Sequence, residues 1–366
     1  MEFHGYEIEP RMRVRKHNTA RVLSYDSDNA YPNRIEVVIN ASERATSCTN
    51  EYAKFIRGEG FVNPALGNLI VNRKRQTLNK ILRKVSHDLS RFRGGFSLHF
   101  NFDILGRLIE IQHVPYKHNR FALDPKSDEL KLTGQIAFYP DWGREFKHYI
   151  DPNKIKFVES WNPDPLKIMA QIDAAKGIDN YSGQIMYVTE EEQLYSRAVT
   201  DSAIEDVLAD CEAKIFRLNN LVTNFLASVI LVTHKLTEEE RENMSAQIKQ
   251  FQGARDAGKI FHIEKEHENQ QFELKPLEIQ KMDGLFKSTE ESVRDSIRRV
   301  FLMPPVLIGD LVAGRMGTAQ EINDATLFYN KMTRDERALI SETFGGILQH
   351  WHQPVDLSNL AIKELT

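Results

Sequence analysis

The chain has 366 residues, 41% hydrophobic and 27% charged, which is long enough for two or three folding units with an ordinary globular composition. A formal net charge of −4 excludes the basic bulk of a protein that coats nucleic acid. With only Cys48 and Cys211 there is no disulfide scaffold, and the longest apolar run, FLASVILV at 225–232, is far too short to span a bilayer.

Residues 1–20 are polar and charged, so the expectation is a cytosolic protein with neither a secretion signal nor a membrane anchor. TNEYAKFIRGEGF (49–61) reads as a short helix stopped at Gly58. Residues 66–95 read as a longer helix, with Leu78, Ile81, Leu82, Val85 and Leu89 at helical spacing and Gly94-Gly95 as its stop. FSLHFNFD and RLIEIQHVP, separated by ILG, have the alternation of a β-hairpin. QIAFYP, KIKFVES and GQIMYVT add strands, so the section up to residue 199 is α+β.

A more regular section follows. Ser202 and Glu205 stand in capping-box spacing, and Ile204, Leu208, Cys211, Ile215, Leu218, Val222 and Phe225 recur by four and three. That period belongs to a helix lying along a neighbour, and residues 201–227 would span roughly 40 Å. Cys211 falls within this pattern and reads as a small core residue. Residues 228–277 read as a small β-α-β-β unit: SVILVTH, a helix opening at Thr237 with Glu240 in capping-box spacing, GKIFHIEK and QQFELKPL. A second long helix follows Pro276, with Ile279, Met282, Phe286, Val293, Ile297 and Val300 on one face, and ends at Pro304-Pro305. An apolar, Gly-punctuated loop leads to Thr318, which with Glu321 opens a third helix running to Gly345-Gly346.

No catalytic constellation emerges. GDLVAGRMGT lacks phosphate-loop spacing, no H-E-x-x-H or G-x-S-x-G occurs, and the acids lie in helix-surface runs such as TEEERE. The histidines read as surface residues, and neither a cofactor nor a metal is expected. Residues 72–93 carry eight Lys or Arg in 22 positions. They read as a packed helix with a positively charged outer face.

Three long helices, a small mixed insert between two of them, and a loop before the third resemble the tailed-bacteriophage portal proteins. The resemblance is carried by SVRDSIRRVFLMPPVLIGDLVAGRMGTAQEINDATLFYNKMTRDERALISETF (292–344), by YAKFIRGEGF (52–61) and by FDILGRLIEIQHVPYKHNRF (102–121), and covers residues 50 to 344. It implies an α+β wing at 1–199, stem helices at 200–227 and 278–303, and a βαββ clip at 228–277. It also implies a tunnel loop at 304–317 and a channel-lining helix at 318–346. The function it implies is a non-enzymatic ring of twelve chains at one capsid vertex of a virion, assembled in the cytoplasm of the bacterial host. Double-stranded DNA would pass through it during packaging and ejection. Large terminase, capsid or scaffold proteins and head–tail adaptors would dock on it, with no membrane involved.

On this pattern Ile204, Cys211, Ile215, Leu218, Phe225, Phe286, Val293 and Ile297 pack the stem. Glu238, Glu239, Glu242, Arg255 and Lys259 are the expected docking charges of the clip. Val312, Gly314, Arg315, Met316 and Gln320 face the channel. Small and aliphatic residues there approach DNA without fixing it, and twelve chains of net charge −4 give a ring of about −48 that repels phosphate at long range. Arg315 either touches phosphate transiently or pairs with an acid of a neighbouring subunit. The sequence departs from the family after Gly346, where residues 347–366 are too few for a substantial helical crown but enough for one short helix. The alternative reading is a nucleic-acid-processing enzyme that grips DNA with the basic stretch 72–93.

Overall fold

The computed structural model describes residues 14–124, 126–127, 130–142, 150–189, 194–222, 230–234, 237–239, 241–242, 261–265, 280–310 and 318–366. The chain divides into two compact units, Met1–Ile204 with Ser296–Thr366, and Glu205–Asp295.

The first unit opens with two short strands, β1 (Lys16–His17) and β2 (Val22–Leu23), and two helices, α1 (Tyr31–Ala41) and α2 (Glu43–Arg57). Ser42 separates the helices because its backbone is extended, and its hydroxyl then accepts the Ala45 N–H at 3.1 Å to cap α2. Gly58, at φ +51°, ends α2 as the sequence indicates. β3 (Gly60–Phe61) and the single turn α3 (Pro64–Gly67) lead to α4 (Leu78–Leu89).

The long helix expected over 66–95 is therefore only its second half. Residues 70–77 form a tight turn instead. Ile70 bridges Thr77, the Asn72 side chain accepts the Gln76 N–H at 3.1 Å, and Arg75 takes φ +54°. A local side-chain hydrogen bond there diverts the backbone from the helix.

After α4 come β4 (Phe96–Phe102), β5 (Leu108–Val114), β6 (Asn119–Leu123), β7 (Leu132–Phe138), β8 (Lys156–Ser160), α5 (Pro165–Ala174) and β9 (Gln184–Val188). The sheet has eight strands in the order β1-β2-β6-β7-β8-β9-β4-β5. Its pairs are antiparallel except β8 with β9, and α5 supplies the crossover that a parallel pair needs. The β4–β5 hairpin and the strands at 135–138, 156–160 and 184–188 stand where alternation placed them.

In the second unit α6 (Ile204–Val222) precedes two parallel strands, β10 (Ile230–His234) and β11 (Phe261–Lys265), and α7 (Gln280–Val300) follows. A 3-10 turn at Val199–Ala203 runs straight into α6, so Ser202 lies inside a turn and not at the cap position expected for it. Arg217 of α6 pairs with Glu290 of α7 at 2.6 Å. The strand expected at 270–277 lies outside the described residues.

Returning to the first unit, the third long helix is two: α8 (Ala319–Met332) and α9 (Arg334–Leu348). They break at Thr333, whose hydroxyl bonds back to the Tyr329 carbonyl at 3.0 Å, whereas Gly345 and Gly346 continue inside α9. The last residues do not form the short helix expected of them. β12 (Ile362–Lys363) pairs antiparallel with β3, and the buried Arg337 clasps this end through Glu364 at 2.9 Å and the Phe55 carbonyl at 3.3 Å.

One hydrophobic cluster unites Ile81, Leu82, Val85 and Leu89 of α4 with Phe96, Leu98 and Phe100 of β4, Phe344 and Ile347 of α9, and Ile362 of β12. The α4 positions are those its periodicity marks. On the sheet's other flank Arg120 is fully buried. It donates to the carbonyls of Lys117, Asn119 and Asn29 at 2.8, 2.7 and 3.0 Å, with its guanidinium 5.1 Å from the Tyr25 ring. Burial of a cation this deep is tolerated because its donors are satisfied.

Candidate functional site

The flanks of the loop after α7 are held firmly. α7 ends at Val300, where the Arg298 carbonyl accepts the N–H groups of Phe301 and Met303 at 3.1 and 3.0 Å. Pro304 is extended, Pro305–Ile308 form a 3-10 turn, and Gly309 closes it at φ +72°. The Asp310 N–H bonds to the Pro305 carbonyl at 3.0 Å, and its carboxylate lies 3.9 Å from Arg298. Phe301 and Met303 are buried, with Phe301 edge-on to Tyr52 at 5.8 Å.

On the far side Thr318 caps α8: its hydroxyl accepts the Glu321 N–H at 3.1 Å while Glu321 accepts the Thr318 N–H at 2.9 Å. This is the capping box read from the sequence. Val312, Gly314, Arg315 and Met316 lie outside the described residues, and Gln320 is exposed on the first turn of α8, 3.0 Å from Asp324.

Two helix faces present apolar side chains outward. On α6, Leu208, Ile215 and Leu218 are 45%, 51% and 50% exposed, while Val207 and Asp210 are buried. On α8, Ile322, Leu327, Phe328 and Met332 are exposed while Tyr329 and Asn330 are buried. Of the other residues assigned to the stem, Val293 and Ile297 are buried and Ile204 and Cys211 half-buried. Phe225 and the side chain of Phe286 lie outside the described residues. Cys48, not Cys211, is the buried cysteine, and burial pushes its thiol up to about 12. Glu238, Glu239 and Glu242 are exposed, and Arg255 and Lys259 lie outside the described residues.

The basic stretch forms part of a larger surface that the sequence did not reveal. Lys80, Arg83, Lys84 and His87 recur at i, i+3, i+4 and i+7 on α4, a basic stripe opposite its apolar face with Lys80, Arg83 and Lys84 as its cations. Lys54 and Arg57 of α2 stand across from it, and the hollow between them, of about 630 Å³, is closed at one end by Leu307 and Ile308. A second hollow of about 650 Å³ shares Arg83 and His87 and reaches His113 and Pro115 at the end of β5. Burial, and after it the neighbouring Arg83, draws the Arg57 guanidinium below its ordinary range. Burial, and after it Lys74, does the same to the Lys84 ammonium. The i, i+3 pair Lys54 and Arg57 at the end of α2 is the signal that could have found the second wall.

Among the described residues no group of three or more His, Cys, Asp or Glu side chains is placed to hold a metal ion, and no helix is long and apolar enough to cross a membrane.

No protein-family model matches the sequence, and no curated protein matches it. Solved structures do. The neck of an empty gene transfer agent (GTA) particle, computed with six-fold symmetry, is 14% identical and aligns over 87% of this chain and 82% of its own, with a TM-score of 0.50. The neck of the native GTA particle, computed with twelve-fold symmetry, is 14% identical over 88% and 82%, with a TM-score of 0.46. A phage portal protein of the HK97 family from Corynebacterium diphtheriae is 10% identical over 83% and 88%, with a TM-score of 0.41. The likeness to the empty-particle neck shows a shared fold.

Proposed function

We propose that the chain is the subunit of a portal-type ring, a conduit for double-stranded DNA at one vertex of a virion and a docking platform for a packaging motor and head–tail adaptors. The observation that carries this reading is the apolar stripe of α6. Leu208, Ile215 and Leu218 stand on the helix in the period that suits a parallel neighbour, yet in a single chain they face outward. A second copy of the chain, placed by a rotation that closes, covers such a stripe all around a ring. The exposed face of α8 offers a second strip for the same contact. The shared fold with a particle neck of six-fold symmetry supports a ring, and twelve chains, the number the portal pattern implies, contain that symmetry.

Within such a ring the loop at 311–317 of every chain faces the axis. Its flanks at Asp310 and Thr318 are fixed by the Arg298 contact and the capping box, so the loops form one constriction of small and aliphatic side chains with Arg315 among them. Glu238, Glu239 and Glu242, with Arg255 and Lys259, are the charges offered to the motor. The chain itself carries no hydrolytic role in this reading, and ATP hydrolysis belongs to the terminase. Native mass spectrometry with negative-stain imaging of the purified chain tests it. Rings of about twelve subunits with a central hole are expected. A stable monomer or dimer that stays so beside shell and scaffold proteins overturns the reading.

A further inference from the structure

We propose that the two adjoining hollows over α4 form a docking site for an acidic protein segment that carries apolar side chains. Six basic side chains, Lys54, Arg57, Lys80, Arg83, Lys84 and His87, converge there from two helices of the first unit. Among the described residues only Lys54 has a carboxylate as ion-pair partner, Glu51 at 2.7 Å. Lys80, Arg83 and Lys84 thus stand together on α4 with no carboxylate at ion-pair distance among the described residues, an arrangement that an incoming carboxylate relieves.

The lining decides between a protein and a nucleic acid. Each hollow lies within the range of about 300–1,000 Å³ that admits a few side chains and is far too small for a duplex. Neither contains a Phe, Tyr or Trp side chain, the rings on which successive single-stranded bases usually stack. The first hollow sets beside its cations Leu307 and Ile308, which offer nothing to a sugar–phosphate chain. An acidic segment with an interspersed leucine or isoleucine satisfies both kinds of wall: carboxylates on the stripe of α4, an aliphatic side chain against the 305–308 turn. The site lies on the basic stretch that the ring proposal leaves without a role, and it stands independently of that proposal.

The test uses the full chain with two labelled probes at about 150 mM salt, a short peptide of repeated Glu-Glu-Leu and a DNA duplex. Saturable peptide binding is expected, weakened roughly tenfold or more by Lys80→Glu with Arg83→Glu. Leu307→Ala, which leaves every charge in place, weakens it roughly fivefold. The duplex does not displace the peptide. Lys80 and Arg83 are exposed, so the thermal transition of the double variant matches the parent and a loss of binding is not a loss of fold. Absence of peptide binding, or binding indifferent to the charge reversal or to Leu307→Ala, overturns the proposal. A duplex that displaces the peptide assigns the surface to nucleic acid and overturns it equally.

Discussion

The Tyr329 hydroxyl donates to the Phe301 carbonyl at 2.8 Å inside the protein, tying the helix that follows residues 311–317 to a residue three positions before the tandem prolines. The Tyr329 ring also packs edge-on against Phe55 at 4.8 Å. Tyr329→Phe keeps the ring and deletes the hydrogen bond, leaving a buried carbonyl without this partner. A loss of about 1–3 kcal/mol is expected. Intrinsic fluorescence in a urea titration measures it, because all three tryptophans, Trp142, Trp161 and Trp351, lie in the first unit.

Gly58 combines a left-handed backbone at φ +51° with a place where a β-carbon would sit 1.9 Å from the Lys363 carbonyl oxygen. Gly58→Ala therefore meets both a conformational cost of about 1–3 kcal/mol and a clash that pushes β12 off β3. The expected signature is faster proteolytic cleavage within 350–366 together with a lowered melting temperature.

On α6 the prediction separates assembly from folding. Ile215 and Leu218 are half exposed, so Ile215→Lys with Leu218→Lys changes the stability of the single chain by no more than about 0.5 kcal/mol. The same pair of substitutions places charges in the contact proposed between copies, and ring formation is lost. Native mass spectrometry reads the assembly and a thermal melt reads the fold. Rings that survive the substitution take α6 out of the subunit contact.

Acid destabilises the fold through its histidines. Burial holds the imidazoles of His87, His99 and His118 below the ordinary histidine range. The unfolded chain then binds more protons than the folded one just below about pH 6.5. The stabilisation is complete above that value and is lost as pH falls from it through the folded values. His99 donates from Nε2 to the Ser182 carbonyl across 2.7 Å, a contact that the amide N–H of glutamine can replace without titrating. His99→Gln is expected to lose less melting temperature than the parent between pH 7 and pH 5.

How much of this could be read in advance depended on whether a residue's neighbours are near in sequence. The face of α4, the β4–β5 hairpin, the Gly58 stop and the Thr318 capping box are local patterns, and they stand where periodicity and turn chemistry place them. The break at Thr333 was hidden because no Gly or Pro marks it; it follows from Arg337, which reaches the Thr333 hydroxyl at 2.6 Å and Glu364 beyond. Burial of Arg120 among tyrosines was equally illegible, since Asn29, which accepts from it, is 91 residues away. The basic surface was half visible: α4 supplied its stripe, but Lys54 and Arg57 gain meaning only once α2 is packed beside it.

The pairing of β12 with β3 also sets a timetable. Glu59 and Lys363, which flank that joint, are 304 residues apart, and the core that holds Ile56 and Phe61 also needs Phe344, Ile347 and Ile362. At roughly 5–20 residues per second, a ribosome takes about 15–60 s to cover that distance. Throughout it the nascent chain carries an N-terminal half whose apolar faces have no cover, while the 205–295 unit is made in between. The first unit closes only as its final strand emerges, which makes its birth slow and leaves it dependent on whatever shields unfinished chains in the cell.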